Sequence, residues 1–488
     1  MTLPAMAFLF HFYFVSSLSF GAWLSRQLKW ILLMGGLLGA GVLGIYLFQG
    51  AILLTSPGYS SSSYFLTQTF VIPFEYFWKM FFPINLSIDV HFRMLSDWWS
   101  FSSYKGLMVL FGYTVILFLV SRTQPLMGFG MAWALITLLP ESSFVPLHDV
   151  AVEHRTYLPM VGFSIFSASA LCHLTCRLRD VPRFFFAVWS GIILILLFFA
   201  SGLMSRNAIW KDELTLWADA SRKAPHLIRP YNNLGEAYDK LGLYDKAIAE
   251  FKAALAISPD YYYGLGNLGN IYGKKEEYWK AIEYFEKALK IKPDYAPAHY
   301  NLAKAWHKVG QPEKALEHYR QAIHDNKYFE EAYYNLAYLA LELNLYDEAI
   351  QNFLQFLESQ PHHLRARFGL GNAYFQNQQF DLALAEYAKA IETDPTYIFP
   401  YINSAMIYLQ TGKIDMAIGL YDKILARQPN IAGIHKNLGL IHLQYKQDLK
   451  KALSYFEESL RLDPRQPESA QLKDSISSLR HEIGPPSH

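Results

Sequence analysis

A proline recurs every 34 residues through the C-terminal half of this chain. The residues between successive prolines have the apolar spacing of two amphipathic helices, and proline ends the second helix because it has no N–H to donate. A fixed period of this length predicts a solenoid of stacked helix pairs instead of one globular core. Lys327 takes the place of one proline in this series. The prolines of the series are Pro225, Pro259, Pro293, Pro361, Pro395 and Pro429.

Eight positions carry the repeat, and each has a packing role. Small residues let the two helices of a pair approach closely, aromatic residues fill the space between pairs, and the proline ends the unit. In the unit that begins at residue 228 these positions hold Tyr231, Leu234, Gly235, Tyr238, Ala247, Phe251, Ala254 and Pro259. The pattern is that of the tetratricopeptide repeat (TPR).

The repeats begin at residues 228, 262, 296, 330, 364, 398 and near 432. The seventh has one extra residue, because Ala452, Phe456 and Pro464 fall one place late. The sequence predicts an all-α protein in which a polytopic transmembrane helical domain precedes a TPR α-solenoid. Its parts are a membrane domain of about six helices at 1–208, a linker and half repeat at 209–227, seven repeats at 228–466, and a capping helix and tail at 467–488.

Charge is distributed very unevenly between the two halves. Residues 1–208 contain 11 Lys or Arg and 7 Asp or Glu, whereas residues 209–488 contain 32 and 35. Neither half has the basic excess that binding to a phosphate backbone requires, so nucleic acid is excluded as a partner.

Cys172 and Cys176 are the only cysteines, and two thiols alone do not complete a metal shell, so no metal site is predicted.

The N-terminal half contains apolar runs long enough to cross a membrane. Basic residues in short loops mark the cytoplasmic side, here Arg26 and Lys29, then Arg122, then Arg177, Arg179 and Arg183. Six spans counted in this way make the chain an integral, multi-pass membrane protein in contact with lipid, with the repeats on the non-cytoplasmic side. A further aromatic segment at 64–100 has the composition of an interfacial helix. The predicted spans are 4–24, 30–54, 105–121, 125–140, 157–176 and 184–204.

Asparagine dominates the sixth position of the first helix of each repeat, which faces the inner groove. An amide offers both donors and an acceptor, so a column of asparagines can pair with the backbone of an extended protein or peptide client. The alternative is that asparagine is simply common at this position. Gly369 interrupts the column, and the predicted peptide-binding residues are Asn233, Asn267, Asn301, Asn335, Asn403 and Asn437.

The stretch from His148 to Pro159 is the chemically dense part of the membrane half. The fork of Arg155 suits a phosphate, and His154 can donate to the same group. The alternative is that Glu153 and Arg155 neutralise each other at a helix start. We take Glu153, His154, Arg155 and Tyr157 as candidate residues for a lipid phosphate.

Three motifs together resemble the transmembrane-and-TPR O-mannosyltransferases of animals and their bacterial relatives. They are the run from Glu153 to Pro159 with Gly162, the segment from Phe82 to Asp89, and the segment from Ser205 to Trp217. The resemblance implies a C-superfamily glycosyltransferase (GT-C) that takes a polyprenyl-phosphate sugar as donor. The repeats would then present protein acceptors.

The chain departs from that family in one respect. The family has a paired acidic motif after its first span, and no such pair stands in residues 1–74. The resemblance therefore implies a chain that lacks the N-terminal catalytic portion, and Asp89 is the one interfacial carboxylate left as a catalytic candidate. Two interpretations stay open: a glycosyltransferase-like enzyme, and a non-catalytic membrane-anchored TPR scaffold in the cell envelope.

Overall fold

The computed structural model describes residues 101–138, 157–178 and 181–483, with single positions at 13, 67 and 87. Every regular element in those three ranges is an α-helix. The chain divides into two compact units, Met1–Pro259 and Asp260–His488, and each is described by itself.

Among the described residues, four apolar helices precede the repeats. They are α1 (Phe101–Thr123), α2 (Pro125–Leu138), α3 (Tyr157–Leu178) and α4 (Pro182–Ile209). Three contain stretches long and apolar enough to cross a membrane, at Tyr104–Thr123, Leu158–Leu178 and Arg183–Ile209. The spans predicted at 105–121, 157–176 and 184–204 are therefore confirmed as apolar helices that are long enough to cross a membrane. The described part of α2 has 14 residues, too few to span a membrane without tilt or extension. The spans predicted at 4–24 and 30–54 and the interfacial helix at 64–100 lie outside the described residues.

Helices α2 and α3 cross backbone to backbone through two glycines. A Cβ on Gly130 would lie 2.6 Å from the carbonyl oxygen of Gly162, and a Cβ on Gly162 would lie 2.5 Å from that of Gly130. Trp133 Nε1 also donates to the carbonyl oxygen of Leu158 at 3.1 Å. Small residues permit this kind of helix approach in lipid, where packing drives association because the hydrophobic effect does not. Gly162 therefore has a structural role beside the motif that carries the family resemblance.

A buried ion pair joins the last apolar helix to the half repeat α5 (Glu213–Lys223). Arg206 Nη1 lies 2.9 Å from Asp219 Oδ2, and both side chains are about nine-tenths buried. Lys223 Nζ approaches the same oxygen at 2.8 Å. Asp212 caps the start of α5, because its Oδ1 accepts from the backbone N–H of Thr215 at 2.8 Å.

Seven pairs of helices follow within the described residues, one pair for each predicted repeat. The first helix of a pair (helix A) has 12 or 13 residues and the second (helix B) has 14. The pairs are α6 (Ile228–Lys240) with α7 (Tyr244–Ile257), α8 (Tyr262–Lys274) with α9 (Tyr278–Ile291), α10 (Ala296–Lys308) with α11 (Pro312–Asp325), α12 (Glu330–Glu342) with α13 (Tyr346–Ser359), α14 (Leu364–Gln376) with α15 (Phe380–Thr393), α16 (Phe399–Gln410) with α17 (Ile414–Arg427), and α18 (Ala432–Gln444) with α19 (Leu449–Leu462).

The core of the second unit consists of the repeat positions themselves. Phe353, Tyr387 and Phe456, which occupy one repeat position, are each at most 1% exposed. The final helix, α20 (Ser469–Ile483), covers the last pair by packing Leu472, Ile476 and Leu479 on the Ala452 and Phe456 side. The sequence predicts a capping helix and tail at 467–488, and α20 lies within that range.

The extra residue of the seventh repeat lies in the turn between α18 and α19. In the other repeats a single residue with positive φ closes this turn, such as Glu276 at 61°. In the seventh repeat that residue is Gln447, at 51°, one place later than the period requires. The turn absorbs the insertion, so Ala452 and Phe456 still reach the core although each lies one place late.

The fourth position of helix A has a function that the sequence did not reveal. Its polar side chain donates to the carbonyl oxygen of the proline that ends the preceding repeat, which helix B leaves without a partner. The four clearest examples are His299 to Pro293 at 2.9 Å, Arg367 to Pro361 at 2.7 Å, Tyr401 to Pro395 at 3.3 Å and His435 to Pro429 at 2.9 Å. The available signal was a donor side chain six residues after these four prolines, whereas Leu265 stands six residues after Pro259.

Candidate functional site

The asparagines of the sixth position stand at the edge of the buried face of each helix A. In α10, Leu302 and Ala303 are buried against the neighbouring helices, whereas Asn301 beside them is half-buried. Three other members of the column, Asn335, Asn403 and Asn437, are also half-buried in the second unit. A half-buried amide keeps an accessible edge while its orientation is restricted, which suits a backbone-binding group.

Tyrosine hydroxyls of the preceding repeat hold three of these amides. Asn403 Nδ2 donates to Tyr387 Oη at 3.3 Å and to Asn372 Oδ1 at 2.8 Å, while Tyr387 Oη donates to Asn372 Oδ1 at 2.7 Å. Burial raises the pKa of Tyr387, so the hydroxyl stays protonated and both donates and accepts. The similar contact from Asn437 to Tyr421 is longer, at 3.5 Å.

Asn335 is held by a different tyrosine. Its Nδ2 donates to Tyr300 Oη at 2.7 Å, and Tyr300 comes directly before Asn301 in the preceding repeat. Burial raises the pKa of Tyr300, with a further contribution from the negative charge of Glu331, so this hydroxyl is neutral as well. The Tyr300 contact uses one amide hydrogen of Asn335, which leaves its Oδ1 acceptor and second hydrogen for a ligand. Asn403 donates twice, so it keeps only its Oδ1 acceptor.

In some repeats a phenylalanine stands where others have the tyrosine, 16 residues before the sixth-position residue of the next repeat. Phe353 precedes Gly369, and a Cβ on Gly369 would lie 2.5 Å from Phe353 Cζ, so this repeat has no room for an asparagine there. Phe285 holds the equivalent position in the repeat before Asn301, and it has no hydroxyl that could accept a hydrogen bond from the Asn301 amide. Within the described part of the chain the Asn301 side chain makes no hydrogen bond, so its full donor and acceptor capacity is available.

The two remaining asparagines are half-buried on their own helices. Asn233, in the first unit, accepts from Asn232 Nδ2 at 3.3 Å, and Asn232 also donates to Glu236 at 2.8 Å. Asn267 belongs to the second unit and stands on α8. All six predicted asparagines thus stand at equivalent positions of their helices. Of Asn301, Asn335, Asn403 and Asn437, only Asn301 makes no side-chain hydrogen bond within the described residues.

The residues predicted to hold a lipid phosphate are only partly described. Glu153, His154 and Arg155 lie outside the described residues, as does the catalytic candidate Asp89. Tyr157 is the first residue of α3. Among the described residues no group of three or more His, Cys, Asp or Glu side chains is placed to hold a metal ion.

Profile comparisons define the class of protein that these helix pairs form. Tetratricopeptide-repeat profiles match residues 228–261, 262–295 and 296–324, and a second tetratricopeptide-repeat profile matches residues 334–398 and 402–467. The chain is therefore a TPR protein, and its described residues include four apolar helices before the repeats.

The curated relatives are protein O-mannosyl-transferases. The chain is 27% identical over 132 residues to Protein O-mannosyl-transferase Tmtc3 of Drosophila melanogaster and 28% identical over 133 residues to TMTC3 of Mus musculus. Each match covers 27% of this chain and 14% of the relative. The match thus spans a small fraction of the length of these enzymes.

Two solved TPR structures are similar to part of this chain. The crystal structure of YrrB, described as a TPR protein with an unusual peptide-binding site, is 25% identical, with a TM-score of 0.34 over 40% of this chain and 97% of YrrB. The C-terminal part of a TPR repeat-containing protein from Cytophaga hutchinsonii is 18% identical, with a TM-score of 0.43 over 50% of this chain and 99% of that one.

Proposed function

We propose that this chain is a membrane-anchored TPR protein whose groove binds extended segments of client proteins through their backbone. The observation that carries the proposal is the Asn301 amide, half-buried at the groove and without a hydrogen-bond partner in the described residues. The neighbouring Asn335 is held by Tyr300 but retains an acceptor. Consecutive backbone N–H and C=O groups of an extended peptide can pair with such amides whatever the side chains of the peptide are.

The anchor is the set of apolar helices. Leu194 on α4 is 67% exposed and Phe111 on α1 is 70% exposed, so lipid is the partner that would cover them. The basic residues at the ends of these helices support an orientation in which the repeats lie on the non-cytoplasmic side. A protease that digests residues 209–488 only when it is admitted to the cytosolic face of sealed vesicles would contradict this orientation.

A second candidate function is supported by the similarity to protein O-mannosyl-transferases. In that case Glu153, His154, Arg155 and Tyr157 would hold the phosphate of a polyprenyl-phosphate sugar, and Asp89 would be the carboxylate near the reacting sugar. The repeats would then bind the acceptor protein. Because the match covers 14% of each relative, the binding function is the better supported of the two.

The backbone-binding proposal is tested with the full chain in lipid nanodiscs. The probe is a fluorescein-labelled mixture of eight-residue peptides, used beside the same mixture N-methylated at every second amide. We expect Asn301→Ala to weaken binding about fivefold, the effect of one hydrogen bond, and N-methylation to weaken it further. The matched control is Gln351→Ala, which removes an exposed amide from α13. Equal binding by the wild-type and Asn301→Ala chains, or by the methylated and unmethylated peptides, would overturn the proposal.

A further inference from the structure

The outer side of α16 carries two well-exposed apolar side chains, Phe399 and Met406, and the exposed Gln410 follows Met406 by one turn. Its buried residues, which include Tyr401, Ala405 and Ile407, face the neighbouring helices. Four apolar residues lie on this outer side or at its edge, and the two at the edge are half-buried and pack on the core. In α10 the equivalent positions hold Pro297, Tyr300, Lys304 and His307. These residues of α16 are Phe399, Ile402, Met406 and Leu409.

An aromatic side chain of α14 extends this surface, and α18 carries an exposed leucine at the position equivalent to Met406. Phe368 of α14 contacts Phe399 with ring centroids 6.2 Å apart, and Tyr397 joins both rings at 5.4 Å. On α18 the equivalent side carries Leu440, which is 37% exposed. We call the set Phe368, Phe399, Ile402, Met406, Leu409 and Leu440 the apolar strip.

Water covers a considerable part of the apolar strip in the unbound chain. Phe399 is 52% exposed and Met406 is 42% exposed, although repeat proteins of this kind bury apolar residues against the adjacent repeat. Contiguous exposed apolar surface with a polar rim is typical of a binding site, since burial of that surface by a ligand is favourable.

A single cation stands at one end of the apolar strip. Arg365, at the start of α14, is exposed, and its guanidinium makes no hydrogen bond or ion pair with the part of the chain that the structure describes. Tyr338 Oη donates to its carbonyl oxygen at 2.8 Å, which fixes the backbone there. Arg365 lies one turn before Phe368 on α14 and therefore on the same side of that helix, at the aromatic end of the strip. Burial raises the pKa of Tyr397, and the positive charge of Arg365 acts against that rise. The equivalent position holds Glu331 in the preceding repeat and Phe399 in the next. Among repeats two to seven only Arg365 is a cation at this position, and Arg229 holds it in the first repeat.

We propose that repeats five to seven bind a client segment that is apolar and carries one acidic residue at the end that lies over Arg365. The apolar side chains of the segment cover Phe399, Met406 and Leu440, and its carboxylate pairs with the Arg365 fork. This proposal rests on the proposed function and adds a preference to it. The asparagines of the earlier repeats hold a backbone without selecting a sequence, whereas the apolar strip and Arg365 select one.

The test measures binding of three fluorescein-labelled peptides to the full chain in lipid nanodiscs, which avoids detergent in the groove. The peptides are Asp-Leu-Phe-Ala-Leu-Phe-Ser, the same sequence with Lys in place of Asp, and Asp-Ser-Ser-Ala-Ser-Ser-Ser. We expect the first to bind about tenfold more tightly than either of the others. Met406→Lys should remove that preference, and the matched control Met416→Lys, which changes a methionine 55% exposed on helix B of the same repeat, should leave it unchanged.

A charge reversal separates recognition from folding. Arg365→Glu should weaken binding of the Asp peptide about tenfold and strengthen binding of the Lys peptide by a similar factor, an exchange that a misfolded variant cannot produce. Equal loss of both peptides, or equal binding by the wild-type and Met406→Lys chains, would overturn the proposal. A change of oligomeric state in Met406→Lys with unchanged peptide binding would also overturn it, because the occupant would then be a second copy of this chain. The proposed function fails separately, through Asn301→Ala.

Discussion

Gly369 stands against the ring of Phe353, and a Cβ at residue 369 would lie 2.5 Å from Phe353 Cζ. The two residues belong to successive repeats, and together they explain the one interruption in the asparagine column. Here the ring of Phe353 fills the space that a side chain at residue 369 would need, whereas the equivalent ring of Phe285 is followed by Asn301.

The contact between Gly369 and Phe353 predicts a costly substitution. Gly369→Ala should lower the free energy of unfolding by about 1–3 kcal/mol, because the added methyl group must displace a fully buried ring. Phe353→Leu in the same chain should recover part of that loss. Pulse proteolysis across a urea series measures both. Gly419→Ala is the control, because a Cβ at that position in α17 meets nothing within 4 Å, and this helix-interior change should stabilise the chain by about 0.5–1 kcal/mol. A Gly369→Ala chain as stable as the wild type would contradict the packing described here.

The hydroxyl of Tyr387 predicts a smaller effect. Tyr387→Phe removes one donor to Asn372 and one acceptor for Asn403, so the free energy of unfolding should fall by about 1–2 kcal/mol. Tyr319→Phe changes the equivalent residue of another repeat, where the hydroxyl makes no hydrogen bond in the described part of the chain, and it should change stability by less than about 0.5 kcal/mol. Urea midpoints compare the two variants, and equal losses would refute the network.

The ion pair between Arg206 and Asp219 predicts strong coupling between α4 and α5. Asp219→Ala leaves the buried guanidinium without its carboxylate and should cost about 3–5 kcal/mol. Replacing both partners in Arg206→Met/Asp219→Leu should restore most of that loss, because no uncompensated charge stays buried. Protease sensitivity of the segment around residue 210 reports the effect. Additive losses in the double variant would show that the pair carries no coupling.

A pair of histidines in the third repeat predicts a pH dependence. The carbonyl oxygen of Pro293 only accepts, so His299 Nε2 carries the hydrogen and His299 Nδ1 accepts from His318 Nδ1 at 3.2 Å. Burial lowers the pKa of His318, and His299 lowers it further. Glu317 raises this pKa by a smaller amount, and Lys314 lowers it slightly. Asp325 Oδ2 lies 3.7 Å from His299 Nε2 on the other side of that ring.

The sign of the pH effect follows from the lowered pKa. Below about pH 6.5 the unfolded chain takes up a proton at His318 that the folded chain does not, so stability is complete above that pH and falls as the solution becomes more acidic. His318→Gln should flatten the stability profile between about pH 7.5 and 5.5, measured by urea midpoints at each pH. His324→Gln is the control, because that side chain is 80% exposed. A profile of His318→Gln that is parallel to the wild type would exclude this histidine as the cause.

The sequence by itself determined the repeat architecture, because the period of 34 residues and the eight packing positions are local and recur seven times. It also determined the lengths of the three long apolar helices, because helix length and hydropathy follow from consecutive residues. The asparagine column was visible in the same way, since it occupies one place in each period.

Only the tertiary structure decided what the amides of that column do, because their partners lie in another repeat. Asn403 and Tyr387 are 16 residues apart, and Asn335 and Tyr300 are 35 apart, so no local pattern indicates which hydroxyl holds which amide. The crossing of Gly130 and Gly162 and the extension of the apolar strip from α16 onto α14 likewise depend on helices that meet in space. Periodicity shows which face of a helix is buried, and the neighbouring helix then determines which side chains stay available for a partner.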